Sequence, residues 1–263
     1  MATLKLETKE LRKEVMRQVA KKISLETRLK PKIKKFLRTI NKEVATRYES
    51  TGTIGDLDKY TPELIAILKE HYRLTQKRFM GEYEIKGDIE KATDLLMEEF
   101  IDEQAPKQAG FIMDTTRKET MGSLAATFSD FAGEPVIVGT AFAKGFLDNM
   151  NSKVAGRAEI ISMTETQTTA ERTKLTEAMV NAGDITAGNI PLQPKKNSIK
   201  TWHTACDSSV RGTHKEANGQ TKPLNEPFIV GGSRLMFPGD TSLFADPREI
   251  YNCRCVSITR VEA

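Results

Sequence analysis

Residues 200–214 read Lys-Thr-Trp-His-Thr-Ala-Cys-Asp-Ser-Ser-Val-Arg-Gly-Thr-His, and residues 252–255 read Asn-Cys-Arg-Cys. Together these two stretches hold the single tryptophan of the chain, all three cysteines and two of the three histidines. Side chains that can bind metals, transfer protons or anchor a small core are therefore concentrated near the C-terminus. This concentration indicates a terminal domain that begins close to Ile199.

The pattern after Ile199 is typical of short strands separated by glycine and proline turns. The expected strands are Ile199–Ala205, Phe228–Val230, Arg234–Phe237 and Cys253–Val261. Alternation along the last strand places Cys253 and Cys255 on the same face. The stretch Pro238-Gly239-Asp240 has the form of a tight turn, and it lacks the Gly-x4-Gly-Lys spacing of a phosphate-binding loop.

The chain before this domain has the period of helices. One or two amphipathic helices, with a break at Pro31, are expected in the first 48 residues, and Thr61-Pro62 is typical of a helix start. Further helices are expected over residues 88–101, 111–128, 136–150 and 157–181. The predicted fold class is α+β, and the predicted parts are a basic helical arm (1–48), a helical region (49–185), a linker or insertion (186–198) and an α+β domain (199–263).

Positive charge is concentrated in the first 48 residues. This stretch has 15 Lys and Arg against 5 Glu, a local balance of +10 in a chain whose net charge is +4. Such a surface fits DNA phosphates or an acidic protein partner, and a helical face that meets only water is the alternative. The candidate contact residues are Lys21, Lys22, Lys30, Lys32, Lys34, Lys35 and Arg38.

Composition argues against a membrane or a secreted disulfide scaffold. No apolar run approaches the roughly 18 residues that cross a bilayer, and the N-terminus lacks the apolar core of a secretory signal. Three cysteines is an odd number, so reduced thiols are expected. Synthesis in the cytoplasm, with no membrane partner, is the resulting expectation.

An ordered set of residues in the terminal domain resembles the phage Mu F-like family of minor head proteins. The residues that carry this resemblance are Trp202, Asp207, Arg211, His214, Gly219, Phe228, Pro238, Gly239, Asp240, Asn252, Cys253 and Cys255. The run from Ile161 to Thr166, with its Thr-Glu-Thr end, is similar to a helix that precedes this domain in the family. The resemblance extends over about residues 105 to 263.

The resemblance implies a minor capsid protein of a tailed phage rather than an enzyme. It implies association with the portal, a place in the virion near the portal vertex, and a part in head morphogenesis and DNA packaging or ejection. The implied partners are the portal protein, other capsid components and packaged double-stranded DNA. No cofactor is implied. A transient assembly or DNA-binding factor is one alternative.

The rare side chains of the terminal domain also admit two chemical hypotheses. A structural zinc site would use His214, Cys206, Cys253 and Cys255, although Cys-x-Cys differs from the usual Cys-x2-Cys knuckle. The alternative is a set of small buried thiols packed against Trp202. A nuclease or toxin-like hydrolase would instead use Asp207 as an acid and His214 as a general base, with Arg211 as the cation.

Overall fold

Four long helices precede five short strands in the computed structural model, which describes residues 7–81, 87–132, 139–183, 198–205 and 207–261. The helices are α1 (Glu7–Thr51), α2 (Thr61–Phe79), α3 (Gly87–Asp130), α4 (Thr140–Ala182), α5 (Gly212–Ala217) and α6 (Pro247–Ile250). The strands are β1 (Ile199–His203), β2 (Thr221–Pro223), β3 (Phe228–Val230), β4 (Ser233–Leu235) and β5 (Val256–Arg260). This element order confirms the α+β class.

The long helices continue through the positions where the sequence indicates breaks. Helix α1 is one helix with Pro31 inside it, and α3 contains Pro106. The expected interruption between residues 101 and 111 is therefore wrong. Ile101, Ala105 and Ala109 are fully buried at four-residue spacing on either side of the proline, so packing of this face outweighs the local cost of the missing N–H.

Helix α4 likewise joins two stretches that the sequence pattern separates. It runs without a break from Thr140, where residues 136–150 and 157–181 were expected to form separate helices. Gly156 is exposed, while Val154 and Ala158 are buried at i and i+4. Their burial continues the apolar face across the glycine, and the start expected at residue 136 lies outside the described residues.

The described chain forms two compact units, neither of which is contiguous in sequence. The first contains the described parts of Met1–Thr27, Tyr72–Phe100 and Met163–Ala263, and the second comprises Arg28–His71 and Ile101–Ser162. The first residues of α1 therefore pack in the same unit as the terminal strands. The predicted linker at 186–198 lies outside the described residues except for Ser198.

The strands of the first unit form two small antiparallel sheets. Strand β1 is central in the order β2-β1-β5, with Trp202 opposite Ser257, and β3 pairs with β4. Gly231 and Gly232 connect β3 to β4, and their φ values of 55° and 81° are those of a two-residue type I′ turn. The core beside these sheets comprises Trp202, Ala217, Phe228, Val230, Leu235, Ala245, Ile250, Cys253 and Cys255.

A buried charge cluster connects α1, α4 and β5 within the first unit. The Glu171 carboxylate lies 2.5 Å from Lys22 Nζ and 2.8 Å from Lys174 Nζ, and all three side chains are at most 3% exposed. Its other oxygen accepts hydrogen bonds from the Ser257 backbone N–H and hydroxyl. The two ammonium groups also donate to other partners, which are the side chains of Gln167 and Gln18 and the carbonyls of Cys255 and Ser257.

Candidate functional site

The two thiols of Asn252–Cys255 meet one imidazole in the core of the first unit. His214, on α5, places Nδ1 at 3.3 Å from Cys255 Sγ and 3.7 Å from Cys253 Sγ. The three ligand atoms lie within 4.8 Å of one another, and each side chain is at most 3% exposed. Trp202 packs against this thiol–imidazole cluster, with its ring nearly perpendicular to the His214 ring at a centroid distance of 5.6 Å.

The segment before β5 aims both thiols inward. Cys253 and Cys255 precede the first residue of β5, and Asn252 has φ 56°. The expectation that both thiols project the same way is confirmed. The expected reason, alternation along the last strand, is wrong, because both cysteines lie before that strand begins. Cys206, the third cysteine, lies outside the described residues.

Glu249 holds the opposite edge of the imidazole. Its Oε2 lies 3.0 Å from His214 Nε2, a close contact of opposite charges that falls short of a well-aligned hydrogen bond. The Thr213 hydroxyl donates to the same oxygen at 2.8 Å. A Cβ on Gly231 would collide with Glu249 Oε1, so the glycine leaves the space that this carboxylate occupies.

The thiols and the imidazole shift each other's protonation. The hydrogen bond from Cys255 lowers the pKa of Cys253 despite its burial, and His214 adds to this effect. The same bond and burial raise the pKa of Cys255. Burial lowers the pKa of His214, but the hydrogen bond and charge of Cys253 outweigh it, so the net shift is upward. The cluster therefore favours one thiolate beside a protonated imidazole.

The turn Pro238-Gly239-Asp240 has a structural role, as the sequence predicts. The Asp240 carboxylate, 1% exposed, accepts from the backbone N–H groups of Met236 and Ser242. Helix α4 holds the turn through Gln167 Nε2, which donates to Pro238 O, and Thr168 Oγ1, which donates to Gly239 O. These contacts account for three of the residues that carry the family resemblance.

The residues proposed for a hydrolase are engaged elsewhere. Asp207 is exposed and accepts from the Ser209 N–H at 2.9 Å, which is a local turn contact. The Arg211 guanidinium donates to the Tyr251 carbonyl. His214 is 2% exposed and lies between thiols and Glu249. The described structure therefore gives no support to an acid, cation and base directed at one substrate.

The seven basic residues of α1 divide into three groups. Lys22 is buried and paired with Glu171, so we omit it from the contact surface expected from the sequence. Lys30 pairs with Glu159, Lys32 pairs with Glu70, and Lys21 lies over the Phe79 ring. In the described part of the chain, Lys34, Lys35 and Arg38 have no acidic partner within ion-pair distance.

Sequence patterns missed three residues that shape the first unit. Glu249 is far in the sequence from Thr213 and His214. Glu171 is far from Lys22 and Ser257, and only its pair with Lys174 has a local i,i+3 spacing. Lys200 lies in the motif, yet its burial and its bonds to the carbonyls of Leu224 and Met236 depend on the sheet. For Lys22 a signal exists, because it lies three residues after Val19 and three before Leu25, within the apolar stripe.

Glu165, which lies on α4 in the Thr-Glu-Thr run, has a tyrosine as its hydrogen-bond partner. From the sequence, this carboxylate is expected to pair with a basic neighbour or to cap the next element, with a catalytic acid or a metal ligand as the alternative. Instead the Tyr72 hydroxyl donates to its carboxylate within the first unit, and burial raises the pKa of Glu165 to about 7. The carboxyl is therefore part of the packing between α2 and α4.

The described residues form long helices followed by a small domain of short antiparallel strands, which contains a structural turn and a buried thiol pair. This arrangement is that of an α+β protein. No catalytic centre is recognisable among the described residues. Residues 139–258 match the family model described as Phage Mu protein F like protein, which confirms the resemblance over that segment. No curated protein and no solved structure matches the chain. The family suggests a phage head morphogenesis protein with a place in the virion.

None of the helices in the described ranges combines the length and the apolar character needed to pass through a bilayer.

Proposed function

We propose that this chain is a minor head protein of a tailed phage that binds at the portal and acts in head morphogenesis and in DNA packaging or ejection. The observation that carries the proposal is the family match over residues 139–258, which contains the whole ordered motif of the terminal domain from Trp202 to Cys255. The role is structural rather than enzymatic, in keeping with the separate engagement of Asp207, Arg211 and His214.

Particle composition tests this proposal directly. Quantitative mass spectrometry of purified proheads and mature particles should find this polypeptide in both, at one small fixed ratio to the portal protein. Presence in proheads and absence from mature particles would instead identify a transient assembly factor. Absence from both would overturn the proposal.

Four basic side chains on α1 support a docking role as part of this proposed function. Lys34, Lys35, Arg38 and Lys42, here called the basic face, line a shallow surface depression with Pro31 and Thr39. Lys34 is half-buried and the other three are exposed. In the described chain these four have no acidic partner within ion-pair distance. They are therefore the charges left to attract DNA phosphates or an acidic portal surface.

Replacing Lys34, Lys35 and Arg38 together by glutamine should weaken binding of the full chain to double-stranded DNA by about tenfold or more at moderate salt. It should also reduce the slope of log affinity against log salt by about two to three, because each lost phosphate contact removes about 0.9. Fluorescence anisotropy with a labelled duplex across a salt series measures both quantities. Portal binding is measured in parallel.

The matched control removes three charges from the same helix at Lys21, Lys30 and Lys32, whose side chains already contact a ring or a carboxylate. It should lower the affinity much less. Equal losses in the two variants would indicate a general charge effect, and unchanged DNA and portal binding would make the basic face a solvated surface. Substitutions are preferable to deletion because α1 supplies buried residues such as Leu29, Ile33 and Leu37.

A further inference from the structure

The thiol–imidazole cluster has the dimensions of a tetrahedral metal site. Zinc lies about 2.3 Å from a thiolate sulfur and about 2.0–2.1 Å from an imidazole nitrogen, so tetrahedral angles place nitrogen and sulfur about 3.6 Å apart. The two observed separations from His214 Nδ1 are 3.3 Å to Cys255 Sγ and 3.7 Å to Cys253 Sγ. The ligand atoms therefore require little rearrangement to bind one ion.

The orientation of the imidazole also fits metal binding. His214 directs Nδ1 at both thiols and Nε2 at Glu249, which Thr213 in turn holds. Metal-bound histidines typically donate their second ring N–H to a carboxylate or carbonyl, which fixes the tautomer and orients the free lone pair. A small rotation of the ring would align the Nε2–H with Glu249. The carboxylate is then a positioning residue for His214.

Among the described residues, one acidic group and two basic groups lie around the cluster. Glu249 is the acidic group in contact with the imidazole, while Arg211 acts on His214 as an opposing positive charge and Lys22 Nζ lies 3.1 Å from the Cys255 carbonyl. A divalent ion would bind the two thiolates and the unprotonated Nδ1 of His214, and its two positive charges would balance the two buried thiolates.

We propose that His214 Nδ1, Cys253 Sγ and Cys255 Sγ bind one thiophilic divalent ion, with zinc as the expected occupant. A water molecule or another added ligand completes the fourth position. The ion joins α5 to the segment before β5 inside the core that contains Trp202 and Phe228. Its role is to stabilise this small region, where the strands are only three to five residues long.

Metal content of the full-length protein tests the proposal. Protein purified without chelator should contain about one equivalent of zinc by inductively coupled plasma mass spectrometry. After removal of zinc, added Co²⁺ should give thiolate-to-metal charge-transfer absorption and the visible bands of a tetrahedral site. Zinc below about a tenth of an equivalent, together with no thiolate–Co²⁺ absorption, would overturn the proposal.

Variants separate the three ligands from their surroundings. Cys253→Ser, Cys255→Ser and His214→Ala should each reduce bound zinc at least tenfold, and Cys206→Ser is the matched thiol control that should keep it. Glu249→Gln leaves all ligands in place and should weaken zinc affinity about 10–100-fold in competition with a chromophoric chelator. This measurement remains informative if a ligand variant fails to fold. Zinc retained by both cysteine variants, or lost in Cys206→Ser, would overturn the three-residue site.

Discussion

Replacing Glu171 by glutamine is expected to lower the free energy of unfolding by about 3–5 kcal/mol, because two buried ammonium groups lose the carboxylate that they share. Lys22 and Lys174 lie 2.5 and 2.8 Å from this carboxylate in a region with almost no solvent exposure. The neutral amide retains the shape of the side chain but supplies no negative charge. Urea denaturation at neutral pH, followed by circular dichroism, measures the change.

The control for this variant lies on the same helix. Glu159→Gln breaks the pair with Lys30, in which both side chains are about half exposed, and should change the free energy of unfolding by less than about 1 kcal/mol. Equal effects of the two substitutions would contradict the importance of burial. A Glu171→Gln protein as stable as the wild type would show that the two lysines lose a proton at little cost in free energy.

The same carboxylate gives the first unit a dependence on acid. Burial raises the pKa of Glu171, but the attraction of Lys174 and then Lys22 outweighs it, so the net pKa lies below the ordinary value of 4.5. The stabilisation is therefore complete above pH 4.5 and disappears as the pH falls through the lowered pKa. In the glutamine variant this part of the acid dependence should be missing.

Lys200 is expected to make the protein more stable as the pH rises. Burial lowers the pKa of Lys200 to about 7, against the opposing charges of Asp240 and Glu226. The unfolded chain binds this proton up to its ordinary pKa of 10.5, so folding is favoured increasingly between pH 7 and that value. The stabilisation due to the neutral amine is complete above pH 10.5 and is lost as the pH falls through 7.

The geometry around Lys200 suits an uncharged amine. A neutral amine has two N–H groups, and Nζ lies 2.8 Å from the Leu224 carbonyl and 2.7 Å from the Met236 carbonyl. Both acceptors can therefore be satisfied without the third proton. The Phe228 ring, whose centroid lies 5.2 Å from Nζ, favours the charged form, whereas burial favours the neutral amine.

The measurement compares wild type with Lys200→Met, which keeps the length of the side chain and removes the titrating group. The methionine variant should be less stable by about 2–4 kcal/mol at pH 7, because two buried carbonyls lose their donor. The difference in the free energy of unfolding between wild type and variant should increase by about 2 kcal/mol between pH 7.5 and 9.5, since one proton contributes at most about 1.4 kcal/mol per pH unit. Parallel stability curves would mean that Lys200 stays protonated in the folded protein.

The fold class followed from local patterns, whereas the helix lengths depended on packing. Glycine, proline and β-forming runs predicted the strands near residues 199, 228 and 234, because turn chemistry acts over a few residues. For the same reason, Pro106 favours a boundary between the helices expected over residues 88–101 and 111–128. The fully buried Ile101, Ala105 and Ala109 overcome that local preference, and their burial depends on parts of the chain that spacing along α3 does not reveal.

The sequence was sufficient to predict which rare residues form the candidate site, but not which residues position them. The concentration of Cys253, Cys255 and His214 near Trp202 was visible from the rarity of these residue types. Their partner Glu249 was not, because carboxylates are common and the contact requires α6 to fold back onto α5. Likewise, an acidic partner for Lys22 lies 149 residues away on α4, so charge density along α1 overstated its exposed positive surface.

The distance along the chain between Lys22 and its acceptors has a consequence for biosynthesis. The lysine is 233 residues from the Cys255 carbonyl that it contacts. At about 5–20 residues per second, a ribosome needs roughly 10–50 seconds to deliver the second partner after the first. During that interval the Lys22 ammonium group lacks the Cys255 carbonyl, one of the partners that satisfy it in its buried position. The first unit must therefore mature late, after β5 has emerged, and nascent chains that end before β5 are the ones most exposed to chaperones and proteases.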